Sequence, residues 1–176
     1  MRPASGIRCT WILFGHRPIQ FVDVLPKTAD QKVDLFPAAL DKQAPAGLYG
    51  FQADPGTSEY PLALITPASD RTISSTLGEL PRPEVRLEMN PEDADARGIQ
   101  DGDAIRVWNA LGELRINARV SPLIKAGIVT MPKGVWRRNT ANGYTSNALV
   151  PDTLADLGGG ACFNDARVQV QKLAAR

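Results

Sequence analysis

The stretch EVRLEMNPEDADARGIQDGDAIRVWNALGELRINARV, residues 84–120, decides the fold. Its opening sets Val85, Leu87 and Met89 against Arg86 and Glu88, the period of two that buries one face of a strand. Asn90 then suits a helix N-cap and Pro91 the first helical position. Acids fill the next turn and Gly98 follows the end, which predicts a short helix over 91–98. Asp101-Gly102-Asp103 reads as a turn. A strand over Ala104–Trp108, a tight turn around Leu111-Gly112 and a return strand over Glu113–Val120 complete a hairpin.

Outward from this stretch the same texture continues. YPLALIT (60–66) is a compact apolar run suited to a buried strand, and PASDRTISSTLGELPRP (67–83) is a loop with one helical turn around Ser75–Glu79. Ile128–Met131 is a further strand. ARVQVQKL (166–173) is the last, with Val168 and Val170 alternating against Gln169 and Gln171. Short strands with one capped helix inserted predict a mainly β fold, a small closed barrel. Residues 1–57 lack the apolar density for a core of their own. They read as an arm or linker with strand candidates over Ile19–Val24 and around Lys32–Leu35, and 58–176 as the barrel domain.

Composition narrows the function classes. With 43% hydrophobic and 22% charged residues the chain is ordinary for a globular protein, and its net charge of +1 provides no overall field towards nucleic acid or an anionic membrane. The apolar run Thr10–Phe14 is far shorter than the ~20 residues of a membrane span, and the N-terminus lacks a signal-like apolar length. Cys9 and Cys162 show no CxxC spacing and read as cytosolic thiols, with a disulfide left open. A cytoplasmic protein is expected. The polar loop GVWRRNTANGYTSNALVPD (134–152) is long for a compact domain, which points to binding.

The order Asn90-Pro91-Glu92-Asp93-Ala94, Gly98-Ile99, Asp101-Gly102-Asp103, Asn109, Gly112, Ile124, Gly127 is specific. It resembles the molybdopterin-dinucleotide-binding domain that closes the large subunit of the dimethyl sulfoxide reductase family of molybdenum and tungsten oxidoreductases. The likeness covers about residues 58–173. It implies a double-psi β-barrel of the aspartate-decarboxylase-like kind, and molybdopterin guanine dinucleotide as cofactor, with Mo or W carried by the holoenzyme. In that family the metal ligand and any iron–sulfur cysteines come from earlier domains, so the resemblance implies catalytic domains or a subunit as partner and no catalytic residue in this chain. His16 has no evident catalytic partner and reads as a surface residue.

The resemblance also implies site residues. The segment of Arg71, Thr72, Ser74, Ser75 and Thr76 would lie against pterin and phosphate. Small hydroxyls and a guanidinium suit that chemistry, although the same hydroxyls suit a helix cap. Many relatives carry a histidine where Ser74 stands here. Trp136 would cover a pterin face or pack on the barrel rim. Arg137 and Arg138 offer phosphate contacts, and Asn142-Gly143 favours a tight turn. Asn147 would read a polar edge of the cofactor, Asp152 would accept from an amino group, and Asn164, after Phe163, would lie beside the pterin. Pro91, Asp93, Gly98, Asp101, Gly102, Asp103 and Gly112 read as scaffold. Two rival readings use the same barrel. A pyruvoyl decarboxylase needs a Gly-Ser bond, which the chain lacks. A protein-interaction module without cofactor would use the polar loop as a partner surface.

Overall fold

The computed structural model describes residues 19, 21–44, 47, 50, 51, 53, 56–70, 73–80, 84–155 and 158–174. The chain separates into two compact units, 1–50 and 51–176. In the first, residues 21–23 form a turn where a strand was expected: the N–H groups of Val22, Asp23 and Val24 all donate to the Ile19 carbonyl. Asp23 tightens it by accepting from the Ile19 N–H at 2.8 Å. The second expected strand is also replaced by turns, followed by a four-residue helix α1 (Ala38–Asp41). No described residue of this unit is buried.

The second unit contains β1 (Leu62–Ile65), β2 (Arg86–Met89), helix α2 (Pro91–Asp95), β3 (Ala104–Trp108), β4 (Glu113–Val120), β5 (Ile128–Thr130) and β6 (Arg167–Lys172). The six strands close in the order β1-β5-β2-β4-β3-β6. Pairs β1/β5 and β2/β4 are parallel and the other four are antiparallel. This is a double-psi β-barrel. Exchanging β1 with β4, β2 with β5 and β3 with β6 leaves every pairing unchanged, so the two halves of the barrel are interlocked copies of one pattern.

Alternation along the strands fills the barrel. Leu62, Leu64, Leu87, Met89, Ile105, Val107, Leu114, Ile116, Val129, Val168 and Val170 point inward and are buried. The intervening charges form pairs outside, including Arg106–Glu113, Arg119–Glu88 and Lys172–Asp103. Asn90 caps α2 by accepting from the Glu92 N–H at 2.8 Å, and its amide donates to the Ile124 carbonyl at 2.7 Å. Asp93 accepts from the Gly127 N–H at 2.7 Å and Asp101 from the Val120 N–H at 2.9 Å. The NPEDA and DGD residues thus tie α2 and its following turn to neighbouring segments.

Strand direction fixes which loops meet. The C-terminal ends of β1, β3 and β5 share one rim with the N-terminal ends of β2, β4 and β6. The connections 66–85, 109–112 and 131–166 therefore gather at that rim. Helix α2 and the connection 121–127 belong to the opposite end.

Candidate cofactor-binding rim

Every described candidate from the sequence lies in two of the three connections at this rim; Arg71 and Thr72 fall outside the described residues. The first connection is held by the third. The Trp136 indole N–H donates to the Ser75 carbonyl at 2.6 Å. Arg138 donates to the Gly78 carbonyl, and its guanidinium lies 4.9 Å from the centre of the Trp136 ring. Gly78 is buried under this ring, and a Cβ there would collide with the indole. Trp136 is thus packed on the rim, one of the two positions open to it from sequence. Ser74, at φ +53°, and Leu77, at φ +66°, hold left-handed conformations in the clamped loop, with Ser74, Ser75 and Thr76 exposed.

The remaining amides divide into spent and unspent. Asn142 accepts from the Arg115 N–H at 3.0 Å and faces the Glu113 carbonyl at 3.5 Å, so it pins the loop to β4. Asn164 accepts from the Thr66 N–H at 3.1 Å. It stands three residues before β6, as Asp101 stands three before β3, and the two serve equivalent strand ends under the internal symmetry. Asn147 is different: a 3-10 turn, Ser146–Ala148, presents it to solvent, and its side chain makes no hydrogen bond. Asp152 is exposed nearby in sequence, also without a side-chain hydrogen bond.

Asn147 and Arg137 line one cavity of about 730 Å³, together with Glu113, Tyr144, Thr145 and the Leu111-Gly112 turn. The Arg137 Nε donates to the Gly143 carbonyl at 2.8 Å and its guanidinium stands 6.0 Å from the Tyr144 ring centre, which leaves its Nη groups for a ligand. Glu113 accepts from Arg106 Nε at 2.6 Å and Arg115 Nε at 3.1 Å. Arg106 first, then Arg115, hold its carboxyl below the ordinary value against the opposing effect of desolvation, so it is an anionic acceptor at neutral pH. Gly112 lets the hairpin approach the 3-10 turn, since a Cβ there would stand 2.9 Å from the Ala148 carbonyl oxygen. Asn109 fixes the same corner by donating to the Leu149 carbonyl at 2.7 Å.

A second cavity, of about 790 Å³, lies beside the 68–70 and 132–135 segments, with Arg86, Glu88 and Arg119 on its wall. On that wall Arg86 pairs with Glu84 and Arg119 with Glu88, and Lys133 also lines the cavity. The 730 Å³ cavity is the one that carries Asn147, whose side chain makes no hydrogen bond. Glu113, Tyr144 and Thr145 are absent from the residues singled out by sequence. The available signal was the hairpin itself, because a residue following the Leu111-Gly112 turn must stand at the rim. Among the described residues no cluster of three His, Cys, Asp or Glu side chains is placed to hold a metal ion, and no helix is long and apolar enough to cross a membrane.

Comparison with known proteins identifies a family. The model of the molydopterin dinucleotide binding domain matches residues 62–167, more than half of the chain. A probable oxidoreductase, YoaE, of Bacillus subtilis is 29% identical over 152 residues, covering 83% of this chain and 22% of that protein. Dimethyl sulfoxide reductase DmsA of Escherichia coli is 33% identical over 134 residues, covering 70% of this chain and 16% of that protein. Among solved structures, acetylene hydratase from Pelobacter acetylenicus superposes with a TM-score of 0.65 at 18% identity, over 83% of this chain and 24% of that one. The chain spans less than a quarter of the length of each of these proteins.

Proposed function

This chain belongs to the molydopterin dinucleotide binding domain family, and we propose that its rim holds molybdopterin guanine dinucleotide for catalytic domains outside this chain. The observation that carries the reading is the convergence of unspent polar groups, from Asn147 and Arg137, on one cavity of a barrel whose other described amides are largely engaged. Such a donor set fits the group: a neutral amide for a heterocycle edge, a guanidinium for pyrophosphate, and a phenol ring for stacking. When bound, the cofactor supplies a dithiolene for a molybdenum or tungsten centre, where the redox chemistry resides.

The chain's residues bind and orient. Arg137 neutralises phosphate charge, Asn147 fixes the heterocycle, and the loop carrying Ser74, Ser75 and Thr76 supplies hydroxyls beside the Trp136 clamp. Asp152 extends the same polar lip as an acceptor for an amino group. The rim also exposes Ile73, Leu77, Leu111 and Phe163, which supports its being covered by further domains, as does the greater length of the relatives. A cytoplasmic location is part of this reading, supported by the two cysteines without CxxC spacing.

Titration of the purified chain with guanosine diphosphate, a fragment of the dinucleotide, tests the assignment. Saturable binding is expected, with Asn147→Ala about tenfold weaker, the loss of about one hydrogen bond. No saturable binding, or indifference to that substitution, contradicts it and favours a protein-docking rim.

A further inference from the structure

We infer that the turns of residues 19–42 form an apolar docking surface for the part of a molybdopterin-type oxidoreductase that lies outside this chain. The identity of the partner rests on the function proposed above; the surface rests on the arm itself.

Four observations converge. First, nine large apolar side chains are exposed between Ile19 and Leu40, as many as in all of 51–176. Single exposed apolar residues are ordinary, but crowding of this kind marks a surface kept for a partner. Second, the arm holds a defined shape without a core. Asp30 accepts from the Lys32 N–H at 3.1 Å, Asp34 accepts from the Phe36 N–H at 3.0 Å, and the Thr28 hydroxyl donates to the Lys32 carbonyl at 2.6 Å. With the bond to Asp23, these local contacts set the turns and leave Val22, Val33 and Phe36 more than half exposed. Third, Phe21 stands at φ +65°, where a bulky side chain is strained and Gly, Asn or Asp is the usual choice. Its ring is 58% exposed, so neither the turn nor packing within the chain accounts for an aromatic there. A contact outside the chain does.

The fourth observation identifies the occupant. The unit 51–176 is 126 of 176 residues, about 72% of the chain, whereas the match to YoaE takes in 83%. A continuous match of that extent includes Val33, Leu35, Phe36 and Leu40. YoaE therefore carries a counterpart of this part of the arm within a protein of which the chain covers 22%. Charge does not choose the partner, since the four Asp and three Lys between 19 and 50 nearly cancel. Apolar contact with the remainder of such an enzyme is what this surface offers.

The test compares the full chain with a hybrid in which it replaces the matched stretch of Bacillus subtilis YoaE. Amide hydrogen exchange over 21–44 is expected to be fast in the isolated chain and at least about tenfold slower in the hybrid, with β1–β6 alike in both. Phe21→Asp combined with Val33→Asp should abolish the slowing in the hybrid and leave the thermal midpoint of the isolated chain unchanged. Asp tolerates the left-handed position at 21, so relief of strain does not mimic the loss of contact. Equally fast exchange in the hybrid overturns the inference, as does slowing that survives both substitutions. An arm already slow in the isolated chain is covered by its own barrel, and one slow only at high concentration by a second copy; either result overturns it. Should the hybrid not fold, the isolated chain decides. An arm that exchanges freely and whose substitutions leave the midpoint unchanged supports a surface kept for another polypeptide, and a lowered midpoint overturns it. Guanosine diphosphate binding is read on the same samples. Its absence contradicts the cofactor site and leaves the arm result standing, while intact binding with an unprotected arm overturns this inference alone.

Discussion

Side chains of one type do different work on this barrel. Asn90 spends both ends of its amide on the fold, Asn142 and Asn164 spend their oxygens on backbone N–H groups, and Asn147 spends neither end. The sequence shows Asn142, Asn147 and Asn164 alike as loop amides near a polar segment. What separates them is whether a strand end leaves an N–H open within reach, which depends on strands distant in sequence. Asn90 was legible because its partner lies two residues away. Asn90→Ala removes a cap and the bond to Ile124, and is expected to cost about 2 kcal/mol in urea unfolding. Loss of only a few tenths would contradict the double role. Glu113 was only partly legible for another reason: the Leu111-Gly112 turn places it at the rim, but its place between Gly112 and Leu114 is also that of an ordinary solvent-facing strand residue.

Elements followed their periodicity where one existed. β3 and β4 begin and end where the alternation of Ile105 and Val107, and of Leu114, Ile116 and Ala118, places them. Ile19–Val24 has no sustained alternation, because Gln20 and Asp23 are three apart, and local turn bonds around Asp23 win there. The 3-10 turns Arg137–Asn139 and Ser146–Ala148 carry no apolar period; the connection containing them occupies the place that α2 takes in the other half of the barrel. Its clamp on the 73–80 loop makes a dynamic prediction. Trp136→Leu removes the indole donor to Ser75, and amide hydrogen exchange in 73–80 should accelerate several-fold with β1–β6 unchanged. Equal acceleration throughout the barrel would show that Trp136 supports the core.

The hairpin charges give a pH dependence of definite sign. Glu113 is held low by Arg106, Asp103 by Lys172 and Glu84 by Arg86, from ordinary values of 4.5, 3.8 and 4.5. Each carboxyl is therefore more acidic folded than unfolded. The stabilisation is fully present above those ordinary values and is lost as pH falls through the lower folded ones. Thermal midpoints should be level from pH 7 to about 5 and fall below about 4, less steeply in Glu113→Gln. A midpoint independent of acid down to pH 3 would contradict the pairing.

At the scale of the whole molecule, stability and binding occupy different regions. The core lies between the strands, and Leu87→Ala, at a fully buried position of β2, is expected to cost about 3 kcal/mol. The candidate ligand groups lie on connections at one rim, away from α2 and the 121–127 connection. Barrel class and the α2 motif were legible because they depend on spacing within short segments. The rim was legible as loops but not as a cavity, because closure of six strands decides which loops meet. The most direct test of the central claim is to map guanosine diphosphate onto the uniformly 15N-labelled chain by NMR. The account predicts saturable shifts confined to 73–80, 111–115 and 134–152, with the amide side chain of Asn147 among the largest. Shifts centred on Pro91–Asp95 and 121–127, or none at millimolar ligand, would contradict it.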